Sequence, residues 1–384
     1  WALAIGGCVL AAWLAAVSLQ HNVQRACDLR EWPEFSFCAV PDVSVAAQVQ
    51  DLRARIDANP GDVTPWRALA LLTTVPGGVA PLDDAAVLAM AGRLAPQDAL
   101  VLRVQAARFM QGEQWPQAVT ALVRLVQEHG DADAARALAG LLARPAAHAA
   151  MRASLQPGTT WLEPVLGQLH AARVSPVAAM PLVAQALPMK LVSPQAGQAL
   201  MRALKADGQW LEAQALWVAL LGGSAPLLFN GGFEQGFIGD GFDWEVRNDG
   251  PSKAGVLIDQ PVLGERGRVM HLEFTGRPVA LPVVRQILVL PPGNYGFAGE
   301  YMARQMRTEQ GLAWRFICSA GGRELGRSPP LMDTQGQWRR MDVGLSVSAE
   351  CGAVFLQLET QLGSEAMSGL RGQMSFDAFR LAPQ

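Results

Sequence analysis

With 384 residues and a pI near 6.0, the chain has room for two or three domains and a substantial buried core. A net charge of −3 gives none of the basic excess that marks a nucleic-acid partner. Charged residues are only 17% of the chain against 50% hydrophobic, which points to tightly packed helices, a membrane segment, or both.

The first element is apolar. Residues 1–20, "WALAIGGCVLAAWLAAVSLQ", carry no charge and approach the ~20 residues that cross a hydrocarbon core. The run reads as an uncleaved single-pass anchor. A signal peptide competes, because "LAAVS" offers the small residues a signal peptidase accepts. Residues 21–46 follow as a linker holding Cys27 and Cys38. With Cys318 and Cys351 these form two local pairs, the pattern of an oxidising compartment, and Cys8 stays free inside the apolar run. Zinc competes for the four, but there is no CxxC and no histidine near either pair. Four free buried thiols are the other alternative. Disulfides Cys27–Cys38 and Cys318–Cys351 would place the bulk of the chain in a periplasm or outside a cell.

Residues 47–222 are alanine and leucine at helical spacing, cut by Pro, Gly and Asp. Pro60 and Pro96 each precede an acidic helix start, and "GEQWPQAVTALVRLV" returns in outline as "DGQWLEAQALWVALL". Leu102, Ala106 and Phe109, followed by Ala118 and Leu122, resemble the large, small and aromatic positions of the tetratricopeptide repeat family. Small residues there let helices approach while large ones fill the groove between pairs. The resemblance implies a helical solenoid that docks another protein. Residues 144–189, with six prolines, depart from the pattern and predict irregular helix pairs. Gly222, Gly223 and Pro226 end the helices.

From Phe229 the texture turns to β. "FNGGFEQGF" has no helical logic, and short alternating segments with Gly, Asp and Ser between them predict a sandwich over residues 227–384. Asn230 to Glu234, Trp244, the Gln286–Tyr295 hairpin, Trp338 and the closing Phe376–Leu381 strand are similar in order to carbohydrate-binding, galactose-binding-like jelly rolls. The resemblance implies that Trp244 and Trp338 pack the core. It also implies that Glu234, on the first strand, and Asp377, on the last, meet where the chain ends converge. Members of that family often hold a structural calcium there, completed by backbone carbonyls such as those near Asn230. A hydrogen-bonded network without metal is the alternative. Candidates to touch a glycan are Trp244, Tyr295, Tyr301 and Trp314 with Asp240, Asp243 and Arg304, each competing with an ordinary core or hairpin role.

No catalytic motif is recognisable, and the five histidines, at 21, 129, 148, 170 and 271, are scattered. Glu234, Asp240 and Asp243 could pair as glycosidase carboxylates, but this family places such chemistry in a separate domain. The sequence therefore reads as a non-enzymatic, multi-domain α-then-β protein of the bacterial inner membrane. Its bulk would face the periplasm, with an envelope protein on the helices and a polysaccharide or protein on the jelly roll. The expected work is envelope or exopolysaccharide synthesis or export. The rival is a purely structural subunit of a membrane complex that never meets sugar.

Overall fold

The structure is a computed structural model that describes residues 45–72, 84–224, 226–246, 255–360 and 369–384. The predicted anchor and the Cys27–Cys38 pair lie outside the described residues. Among the described residues no helix is long and apolar enough to cross a membrane. The chain folds as predicted in order, helices and then a two-sheet β-sandwich. It divides into two compact units between Val174 and Ser175. That division falls upstream of the change from helix to strand, so three helices belong with the sandwich.

The first unit holds α1 (Val45–Ala58), α2 (Val63–Leu72), α3 (Asp84–Leu94), α4 (Ala99–Gln111), α5 (Trp115–His129), α6 (Ala132–Leu141), α7 (Pro145–Ala153) and α8 (Leu162–Gly167). Consecutive helices from α1 to α6 pack on one another. Their ends follow from local chemistry. Asp98 caps α4 by accepting from the N–H groups of Leu100 and Val101, and Asp131 caps α6 through those of Asp133 and Ala134. Gly130 closes α5 in the left-handed conformation, φ 62°, which costs a residue without Cβ nothing. Leu102 and Ala106 of α4 and Ala118 and Leu122 of α5 are buried at the helix crossing, as the alternation of small and large residues requires.

The second unit opens with short, proline-rich pieces, as expected for that stretch: a 3₁₀ turn (Pro176–Ala179) and α9 (Met180–Ala186). A helix pair follows, α10 (Pro194–Ala206) and α11 (Trp210–Leu221), and Gly222 ends it at φ 69°. The strands are β1 (Glu245–Val246), β2 (Val256–Asp259), β3 (Met270–Thr275), β4 (Val284–Leu288), β5 (Gly293–Arg307), β6 (Leu312–Cys318), β7 (Glu324–Arg327), β8 (Arg339–Val347), β9 (Val354–Thr360) and β10 (Arg371–Pro383). They form two antiparallel sheets, β1-β4-β9-β6-β7 and β2-β3-β10-β5-β8. Apart from the β2–β3 and β6–β7 pairs, successive strands cross between the sheets, which is the jelly-roll arrangement.

Between the sheets lies an aromatic core of Phe233, Trp244, Phe297, Trp314, Phe316, Phe376 and Phe379. Their rings meet mostly edge to face, the arrangement that the quadrupoles of aromatic rings favour. The glycine run at the domain entrance has a steric cause. A Cβ at Gly231 would lie 2.2 Å from the carbonyl oxygen of Phe379, and the N–H of Phe379 donates to the carbonyl of Gly231 at 2.8 Å. The entrance thus pairs with an irregularity in β10, where Ala378 takes φ 54°. Cys318 and Cys351 form the predicted disulfide, Cα atoms 5.5 Å apart, joining the end of β6 to the turn before β9.

Candidate functional site

The outer face of the β1-β4-β9-β6-β7 sheet carries a polar row. Register places Glu245, Arg285, Gln357, Arg315 and Arg327 side by side, one from each of the five strands. Their ion pairs interlock. Arg285 donates twice to Glu245, and Lys205 of α10 reaches the other oxygen of that carboxylate at 3.2 Å. Arg315 pairs with Glu324 and Glu359, Arg327 with Glu324, and Gln357 donates to Glu359. The hydrogen bond from Arg327 holds the Glu324 carboxyl below its usual range; partial burial opposes this, and Arg315 reinforces it.

Aromatic surface lies beside the row. The Arg285 guanidinium sits 5.2 Å from the Phe355 ring, and Trp210 of α11 meets Phe355 edge-on at 5.9 Å. Both rings are half-buried. The helix pair is fixed there by more than this contact. Trp217 packs edge-on against Phe229 at 4.8 Å and lies over Phe242, and Lys205 donates to the carbonyl of Gly241 at 2.9 Å. Half-exposed ion pairs contribute only about 0–1 kcal/mol each to stability. A continuous band of them is therefore a weak stabiliser. It is, however, a dense array of planar donors and acceptors flanked by rings, the chemistry that recognises hydroxyl-rich ligands.

The other sheet carries a cluster on its outer face, at the end of the sandwich where Glu234 and Asp377 lie. Asp377 of β10 stands directly opposite Glu300 of β5. The Arg266 guanidinium bridges them, 2.6 Å from Glu300 and 3.2 Å from Asp377, and rests 4.2 Å from the Trp338 ring. Burial pushes the Asp377 carboxyl above its usual range, although the Ala378 N–H and Arg266 pull it down. Glu234 accepts from the backbone N–H of Arg268 at 3.3 Å, while Arg266 of the same turn reaches Asp377, so the 264–268 turn contacts both predicted partners. A Cβ at Gly267 would fall 2.2 Å from the Glu234 carboxylate, and its φ of 76° lies in the region that favours glycine.

These residues do not fit a calcium shell. One Asp377 oxygen faces Arg266 and the other accepts from Ala378 N–H. Among the described residues no group of three or more His, Cys, Asp or Glu side chains could hold a metal ion.

The remaining sequence candidates are placed as follows. Trp244 and Trp314 are fully buried, and Tyr295 and Tyr301 are 5% and 7% exposed, so all four face the core and not a ligand. For Trp314, Tyr295 and Tyr301 strand alternation is the cause, since each occupies an inward position, and the Tyr295 hydroxyl is spent on the carbonyl of Pro291. Trp244 precedes β1 and donates its indole N–H to the carbonyl of Asn230. Trp338 reverses the opposite expectation; it is half-exposed beneath Arg266. Asp240 and Asp243 share the 237–244 loop. Asp240 turns back on the N–H of Gly241, while Asp243, 1% exposed, accepts from Ile238 N–H at 2.6 Å. Burial raises the Asp243 carboxyl despite the N–H groups of Ile238, Trp244 and Gly239. Both therefore shape a loop. Arg304 is exposed on β5 against Gly336 and opposite Gln373.

Sequence reasoning missed Arg266, Glu300, Arg285, Arg315, Gln357 and Trp210. The alternation in "VFLQLET" puts Gln357 and Glu359 on one side of their strand, and that in "AWRFIC" sets Arg315 opposite its apolar neighbours. Nothing local linked them to Arg285 or to a helix.

No protein-family model and no curated protein matches the chain. Among solved structures, a family 4 carbohydrate-binding module is similar to the C-terminal part, at 13% identity over 41% of this chain and 99% of that one, TM-score 0.31. The CBM22-1 xylan-binding domain of Paenibacillus barcinonensis Xyn10C gives 13% over 40% and 90%, TM-score 0.27. The TmCBM61 module in complex with β-1,4-galactotriose gives 20% over 42% and 100%, TM-score 0.26.

Proposed function

We propose that this chain is a non-catalytic, single-pass envelope protein whose sandwich contacts a polysaccharide and whose helices dock a protein partner. The observation that carries the glycan reading is the polar row from Glu245 to Arg327, with Phe355 and Trp210 beside it. Pairs of guanidinium, amide and carboxylate groups can exchange partners with sugar hydroxyls at small cost, because each existing pair is weak. The apolar run at residues 1–20 supports the anchor. The Cys318–Cys351 disulfide supports an oxidising compartment, hence the bacterial periplasm. For docking, the support is a cavity of about 360 Å³ in the first unit, floored by Ala106, Met110, Leu125 and Ala134 with Arg103 and Asp131 beside them. Consecutive helices packed on one another suit work as an assembly factor in exopolysaccharide synthesis or export.

The test is a glycan array probed with the detergent-solubilised full chain and with an Arg285→Ala/Gln357→Ala variant of unchanged melting temperature. Retention of a polysaccharide by the parent and its loss in the variant is the expected result. Equal retention by both would remove the row from the site. The second reading, a structural subunit without sugar binding, is favoured by one observation: every cation in the row already has a carboxylate partner. An array on which the parent retains nothing would establish it.

A further inference from the structure

The two carboxylates Asp377 and Glu300 oppose each other on neighbouring strands, and like charges so placed repel. Asp377 is also largely withdrawn from water, its side chain 10% exposed. An uncompensated pair at this position would push the last strand away from β5, so the fold needs a cation there. Arg340, on β8, is the other neighbour of Glu300, but it turns to Asp342 instead. The cation comes from elsewhere in the chain. Arg266 sits at the end of the 264–266 3₁₀ turn, held in a closed hairpin by Leu263 N–H to Gly267 carbonyl at 2.8 Å and Val269 N–H to Pro261 carbonyl at 3.1 Å. Its guanidinium has a face for Trp338 and an edge for the two acids, a combination that neither a metal ion nor a lysine provides.

We propose that Arg266 is the sandwich's built-in cation, neutralising Asp377 and Glu300 so that the seam between entrance segment and final strand closes without bound metal. The same hairpin reaches the entrance through Arg268 N–H and Glu234. One turn therefore ties the first segment, β5 and β10 together. The misfit of these residues to a calcium shell follows directly, because the guanidinium stands where a second cation would be repelled.

The experiment uses the purified full chain and follows the unfolding of the sandwich by near-ultraviolet circular dichroism. The parent should melt at the same temperature in excess chelator and in millimolar calcium chloride. Arg266→Ala should lower that melting temperature by several degrees, and Arg266→Lys should fall between, having the charge without the stacked fork. Asp377→Asn introduced into Arg266→Ala should recover part of the loss, since the bare carboxylate is what destabilises. A parent that loses stability in chelator overturns the proposal, as does an unshifted Arg266→Ala. Strict additivity of the two substitutions also overturns it. If Arg266→Ala does not fold, the lysine variant and Asp377→Asn carry the same comparison.

Discussion

Trp217→Ala tests whether α10 and α11 belong energetically to the sandwich. Trp217 is 5% exposed, packs against Phe229 and Phe242, and lies so close to Gly241 that a Cβ there would be 2.2 Å from its indole nitrogen. Truncating a buried tryptophan to alanine costs about 3–5 kcal/mol. For a unit of this length, 1 kcal/mol moves the melting temperature by roughly 2–4 °C, so the sandwich should melt about 6–20 °C lower. Trp217 lies on a helix, yet the loss should appear in the near-ultraviolet signal of the sandwich's aromatic core. The same reasoning predicts that a fragment of residues 227–384, lacking the helix pair, is far less stable than one of residues 175–384. Differential scanning calorimetry of variant and parent gives the comparison. A shift under about 1 °C, well below that expected from the cavity, would show that the helices merely abut the sandwich.

The first unit should be acid-sensitive through Asp131. Burial would raise its carboxyl, but the Ala134 N–H, Arg103 and the Asp133 N–H more than offset this and leave it lowered. Its stabilisation is thus present above the unfolded value of 3.8 and lost as pH falls through the lower folded value. Asp131→Ala, removing cap and ion pair, should cost about 1–2 kcal/mol at neutral pH and flatten this acid limb in urea titrations. Raised Asp377 acts oppositely: its penalty is absent well below 3.8, grows as pH rises through the raised value and then levels off. Asp377→Asn should remove that increment from a melting-temperature profile against pH. Replacing Cys318 and Cys351 with serine frees a loop of 33 residues and should destabilise the sandwich by about 3–4 kcal/mol, measured by urea denaturation. No change on reduction of the parent would contradict that estimate.

Much of the architecture was legible because its causes are local. The helix stop at Gly222, the acidic helix start after Pro96 and the change of period at Phe229 each concern a few neighbouring residues. The Cys318–Cys351 disulfide was legible because its two cysteines lie in short predicted strands close enough along the chain to be neighbours in one sheet. The glycan candidates failed for a different reason. An aromatic residue beside a turn is equally compatible with either face of a strand, and one step of register decides between core and surface. Tyr295 and Tyr301 landed inward by that step, while Arg304, three positions beyond Tyr301, landed outward.

What stayed hidden was long-range by construction. The five residues of the polar row come from five strands, and the strand order β1-β4-β9-β6-β7 is not the order of the chain. No spacing along the sequence can therefore reveal that Arg285 and Arg315 both lie beside Gln357. The helix pair was concealed by its own regularity. The tryptophan that opens "WLEAQALWVALL" matches Trp115 of the earlier motif, so Trp210 and Trp217 read as repeat packing. In the fold, Trp210 contacts Phe355 and Trp217 packs on Phe229 and Phe242, binding the last helix to the sandwich. A helix pair thus lines a β-sheet face, and the division between the two compact units falls after Val174, well before the texture turns from helix to strand.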